Sequence, residues 1–151
     1  MMRPLQTQPY MLNNEEGQLL QSLGASVSIK ATSEQTGGVF NLFEVSCPPD
    51  YTTPIHIHYT EDVGIYVLAG MLTLFWGSEK KQAAAGSFFY QPRGTPHGFR
   101  AEGGTPARIL YMTIPAGFDR FVAEQGQPVP GSEPETDAAG YKIEILGPLP
   151  E

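Results

Sequence analysis

Cysteine and histidine are both scarce in this chain: 151 residues hold one Cys and three His. A lone thiol excludes an internal disulfide, and with it the stapled scaffolds of small secreted proteins. Cys47 lies in an alternating apolar run, where it reads as a buried, inert thiol rather than a nucleophile. Positive charge is also short. Lys and Arg number 9 against 16 Asp and Glu, a formal net charge of -7. An acidic surface repels phosphate backbones, and Lys80-Lys81 is only a pair, so nucleic acid is not an expected partner. No apolar run approaches the ~18–20 residues that a membrane-spanning helix needs. Met1 to Leu20 is polar and has no apolar stretch of signal-peptide length. From these absences the sequence reads as a cytoplasmic protein with no membrane partner.

Glycine and proline are plentiful, at 17 and 14 residues. They point to many turns between short elements, and hence to strands rather than long helices. Ser26 to Ala31 alternates as a half-buried strand does, and Val39 to Cys47 is apolar on both faces. Ile65 to Ala69 and Met71 to Trp76 flank Gly70 as a hairpin would, and Gly77 to Lys81 reads as a polar turn. Ser87 to Gln91, His97 to Ala101 and Ala107 to Ile114 complete about eight strands at the spacing of an all-β sandwich or barrel. Residues 1–25 read as a loosely patterned lead-in. Phe118 to Gln125 is expected to form one short helix, stopped by Gly126. Gln127 to Glu135 has the composition of an exposed linker, and Ala138 to Leu146 reads as a last ordered piece. The expectation is a single domain over 1–151, with a barrel core over about 26–115 and an extension over 116–151 packed on it.

Two of the three histidines stand one residue apart in Thr53-Pro54-Ile55-His56-Ile57-His58. On a strand, residues i and i+2 share a face, so the two imidazoles are neighbours roughly 6.6 Å apart along the chain. Such a pair can converge on one divalent ion, or it can be two surface histidines on an edge strand. Spacing alone leaves both open.

The third histidine closes the stretch Gly86-Ser87-Phe88-Phe89-Tyr90-Gln91-Pro92-Arg93-Gly94-Thr95-Pro96-His97. That stretch resembles the second motif of the cupin superfamily, in which Gly, Pro-x-Gly and His recur at these separations. His56-x-His58, followed at a distance by Gly70, resembles the first motif. The resemblance covers about residues 39–115, and the chain looks most like the quercetin-dioxygenase-like branch. It implies a cupin jelly-roll, or double-stranded β-helix, barrel with a short helical C-terminal tail. It also implies a divalent metal held by His56, His58 and His97: iron first, with Mn, Ni, Cu or Zn as other candidates.

The sequence departs from the pattern at one ligand. Counting back from Gly70, the family's glutamate falls on Val63; Asp62 is one residue early and turns to the other face, Glu61 is further off in register, and both are expected to face solvent. Three neutral imidazoles leave the full charge of the ion uncompensated, which suits an anionic, chelating substrate. The same parity turns Val63, Ile65 and Phe99 inward as candidate substrate-pocket residues. No general base is identifiable. The first reading is a metal-dependent, dioxygenase-like enzyme acting on a small enolisable or aromatic molecule. The alternatives are a non-catalytic binding module for a small ligand or metal, and a non-oxidative Lewis-acid isomerase. Exposed sheet edges suggest a homodimer.

Overall fold

The computed structural model describes residues 7–22, 24–125 and 143–150. Eleven strands and one helix follow in the order β1 (Gln18–Ser22), β2 (Ala25–Ala31), β3 (Asn41–Cys47), β4 (Ile55–His58), β5 (Asp62–Ala69), β6 (Met71–Trp76), β7 (Glu79–Ala84), β8 (Phe88–Gln91), β9 (His97–Ala101), β10 (Ala107–Ile114), α1 (Phe118–Gln125) and β11 (Ile143–Gly147). They form two antiparallel sheets, β1-β2-β3-β10-β5-β8 and β11-β4-β9-β6-β7, the two walls of a jelly-roll. The alternation read in β2 and β3 appears as strict inside–outside burial, with Val27, Ile29, Phe43, Val45 and Cys47 in the core.

Three sequence expectations change. The lead-in contains β1, which pairs with β2 along its whole length. Glu79 to Ala84 is a strand that pairs with β6, so the turn after Trp76 is shorter than the polarity of Glu79, Lys80 and Lys81 suggests. These residues are exposed on an edge strand, where polar side chains are the norm. The third change concerns β5 and β6, which are not a hairpin. β5 pairs with β10 and β8, whereas β6 pairs with β9 and β7. Gly70 is thus the corner at which the chain passes from one sheet to the other. It has φ 86°, and a Cβ there would lie 2.6 Å from the Pro106 carbonyl oxygen and 2.8 Å from Ala107 Cα. Only glycine meets both conditions.

The helix spans the segment expected for it. Its start is fixed from the barrel side: Asn41 Oδ1 accepts from the Gly117 and Asp119 amides at 2.9 and 3.1 Å, and Asp119 accepts from the Ser33 amide at 2.8 Å. These bonds hold Phe118, Phe121 and Val122 against the end of the barrel. Gln127 to Glu135 and the first residues of the Ala138 to Leu146 piece lie outside the described residues. The end of that piece is β11, which pairs with β4 and places Ile143 opposite His58. No described helix is long and apolar enough to cross a membrane.

Candidate metal centre

β4 and β9 are adjacent in the five-stranded sheet, and His56 is the direct cross-strand partner of His97. His58 lies two residues further along β4, on the same face. The ring centroids are 5.1 Å apart for His56 and His58, 4.5 Å for His56 and His97, and 5.5 Å for His58 and His97. One ring nitrogen from each lies within 4.8 Å of the others. That is close to the span of two metal–nitrogen bonds of about 2.1 Å each. The three histidines singled out in the sequence therefore converge on one point.

The partners of the rings decide which nitrogens face that point. His56 Nδ1 is 2.8 Å from the Pro54 carbonyl, His97 Nδ1 is 2.9 Å from the Thr95 carbonyl, and His58 Nδ1 is 2.8 Å from Glu61 Oε1. Carbonyls and carboxylates only accept, so each Nδ1 must carry the proton and each Nε2 must present a lone pair. His97 Nε2 is buried and has no partner among the described residues. An orphaned buried acceptor costs about 1–3 kcal/mol, a cost that a bound cation would remove. Burial, with the neighbouring His97 and His58 rings, lowers the His56 pKa to about 3. Burial lowers that of His97 to about 4 against the Thr95 hydrogen bond. Both rings are neutral at pH 7, the form that binds metals. Donor type, tautomer and charge all fit a divalent ion.

Glu61 does not face solvent, contrary to the expectation from the sequence. It is 2% exposed, and besides His58 it accepts from the Thr60 hydroxyl at 2.8 Å. The bend at Tyr59-Thr60 breaks the strand between His58 and Glu61, so two-residue parity does not carry across it. Asp62 is half-buried and accepts from the Arg93 amide and Nε at 2.9 and 3.0 Å. The Arg93 bonds hold its carboxyl below the usual range. Gly94 N donates to the His58 carbonyl at 2.8 Å. Both acidic residues after the His-x-His pair therefore support the histidine cluster: Glu61 fixes the His58 ring, and Asp62 fixes the loop that leads to His97.

The site opens into a cavity of about 310 Å³. Phe99 lines it, its ring centroid 6.0 Å from that of Tyr51. Val63 and Ile65 do not line it. They point inward, but from β5, next to the β8 edge of the six-stranded sheet, into the core, where they are 1% and 0% exposed. Parity gives the face of a strand and not the depth along the barrel. Gln91, the cross-strand partner of Val63, is buried, and its Oε1 has no partner among the described residues. Tyr111 of β10 lines the cavity, and its hydroxyl is 3.2 Å from His58 Nε2. Burial, with Glu61 and Tyr51 nearby, pushes its phenol further above the ordinary range, so it is an O–H donor to that nitrogen. Sequence reading missed Glu61, Tyr111 and the helix residues Phe118, Phe121 and Val122, because nothing local marks a residue that a turn or another sheet brings to the site.

The Cupin domain family matches residues 43–113. The quercetin 2,3-dioxygenase of Bacillus subtilis is 26% identical over 130 residues, which cover 86% of this chain and 38% of that protein. The chain thus spans well under half the length of this curated relative. Among solved structures, KdgF from a Halomonas species superposes with a TM-score of 0.66 at 20% identity, over 75% of this chain and 99% of that one. An RmlC-like cupin from Shewanella frigidimarina superposes with a TM-score of 0.64 at 15% identity, over 76% and 98%.

Proposed function

This chain belongs to the cupin superfamily, and we propose that it is a metal-dependent, oxygenase-like member acting on a small enolisable or aromatic substrate. His56, His58 and His97 would hold the divalent ion. One observation carries the reading: three Nδ1 protons are committed to Pro54, Glu61 and Thr95, leaving each Nε2 a lone pair, in three rings that bring one nitrogen each within 4.8 Å of the others beside a cavity lined by His56 and His58. Iron suits an all-imidazole set, as do Ni, Cu and Zn, whereas Mn prefers oxygen donors. A divalent ion in such a site supplies Lewis acidity and, if it is iron, electrons for dioxygen chemistry.

The rest of the work falls to the chain's own side chains. The apolar walls exclude water, and Glu61 and the two backbone carbonyls keep the three rings in one orientation. Val63 stands where the family's carboxylate would be, and no Asp or Glu is among the described residues that line the cavity. With no carboxylate to take a proton, the site favours a substrate that arrives already acidic, such as a 1,3-dicarbonyl. The name of the Bacillus relative supports an oxygenase over an isomerase. The lack of a cavity carboxylate equally suits a non-catalytic binding module. Oxygen uptake decides between them. Iron-loaded protein and a panel of 1,3-dicarbonyls and flavonols should consume dioxygen. No turnover in any metal form would leave the binding module standing. Elemental analysis should find about one metal per chain, lost in His58→Ala.

We also propose a homodimer. The outer face of the six-stranded sheet carries exposed Tyr66, Phe88, Tyr90 and Ile114 around an apolar groove, a surface suited to a second copy.

A further inference from the structure

Tyr111 sits where a substrate oxygen would meet the histidines. Its ring is held by Phe43 at 6.2 Å and Phe118 at 5.8 Å, so the hydroxyl has little freedom to turn away. Its partner is His58 Nε2 at 3.2 Å. His58 Nδ1 is committed to Glu61, so Nε2 is the nitrogen left for a metal. One lone pair cannot serve both. When Nε2 is ligated, the Tyr111 O–H loses its acceptor and must find another within an apolar wall, since an unpaired buried donor is costly.

The lining says what else that acceptor's molecule must be. No Lys, Arg, Asp or Glu is among the described residues that line the cavity. Phe99, Phe118, Phe121, Val122 and Ile109 dominate the wall beside Tyr111. A second charged group on the substrate would be buried there without a counter-ion.

We infer that Tyr111 is a substrate-contacting hydrogen-bond donor, and that the site takes a molecule with one anionic chelating oxygen head and an uncharged apolar body. Phosphorylated or multiply carboxylated molecules are excluded. The inference rests on the metal reading above, so its test separates the two.

The protein is loaded with zinc, which does not turn over dioxygen, and its zinc content is measured first. Benzoylacetone, an uncharged phenyl body on a 1,3-diketone head, is then titrated by calorimetry. Its para-carboxylate is titrated in parallel. Benzoylacetone should bind zinc-loaded protein, and the carboxylate should bind at least about a hundredfold more weakly. Tyr111→Phe keeps the ring and its packing. It should keep the zinc but weaken benzoylacetone binding by about tenfold or more. In metal-free protein, where His58 occupies the hydroxyl, the variant should bind the ligand as the parent does. A Tyr111→Phe affinity within about twofold of the parent in the zinc form, equal binding of the carboxylate, or no benzoylacetone binding would each overturn the inference while leaving the metal site intact. Absence of bound zinc would instead overturn the three-histidine reading, and this inference with it.

Discussion

Glu61 Oε1 lies 2.8 Å from His58 Nδ1, and the carboxylate is shut away from solvent behind the ring it orients. The residue that looks misplaced for a metal ligand is placed one bond further out. With an ion bound as proposed, its charge would act on that ion through the imidazole and raise the basicity of the ring.

Removing this carboxylate should weaken metal binding without abolishing it. Glu61→Ala leaves the Nδ1–H unpaired and should lower metal affinity by about 10–100-fold. Glu61→Gln keeps an acceptor and should lose less. Competition against a chelating dye measures both. Parent-like affinity in both variants would show that Glu61 does not orient the ligand.

Acid should destabilise the metal-free protein in a defined window. The His56 and His97 imidazoles are lowered to about 3 and about 4 in the folded state, chiefly by burial. Unfolded histidine titrates near ~6.5. Between these values the unfolded chain holds protons that the folded one does not, so stability falls as pH falls from about 6.5 toward 4. Urea midpoints of chelator-treated protein should therefore drop between pH 7 and pH 5. A midpoint unchanged over that range would contradict the buried neutral rings.

Gly70→Ala should be strongly destabilising. The residue has φ 86°, and a Cβ would press on backbone atoms of Pro106 and Ala107. Left-handed strain alone costs about 1–3 kcal/mol, and the neighbouring backbone cannot yield as a side chain can. A loss of several degrees in Tm is expected in a thermal melt. Gly77→Ala is the control: its φ is 56°, but a Cβ there meets nothing within 4 Å. It should cost less. Equal losses would place the effect in backbone strain rather than in the sheet-to-sheet corner.

The outer sheet face should govern self-association. Phe88 is 67% exposed and Tyr90 54%. Sedimentation should find a dimer for the parent and a monomer for Phe88→Lys with Tyr90→Lys. A variant that remains dimeric would move the interface elsewhere.

The sequence by itself determined the fold class and the three histidines. Alternating burial is written into β2 and β3 one residue at a time, and Pro-x-Gly before His97 is a local signal for a turn into a strand. Only the tertiary structure decided what surrounds those histidines. Glu61 reaches His58 because a bend cancels strand parity, and Tyr111 reaches it from β10 in the opposite sheet. Val63 and Ile65 have the right parity but the wrong depth, because periodicity gives a direction and never a distance along the barrel. The break at Gly70 looks like a hairpin from either side. Which strand pairs with which is set by long-range hydrogen bonding that no local pattern records.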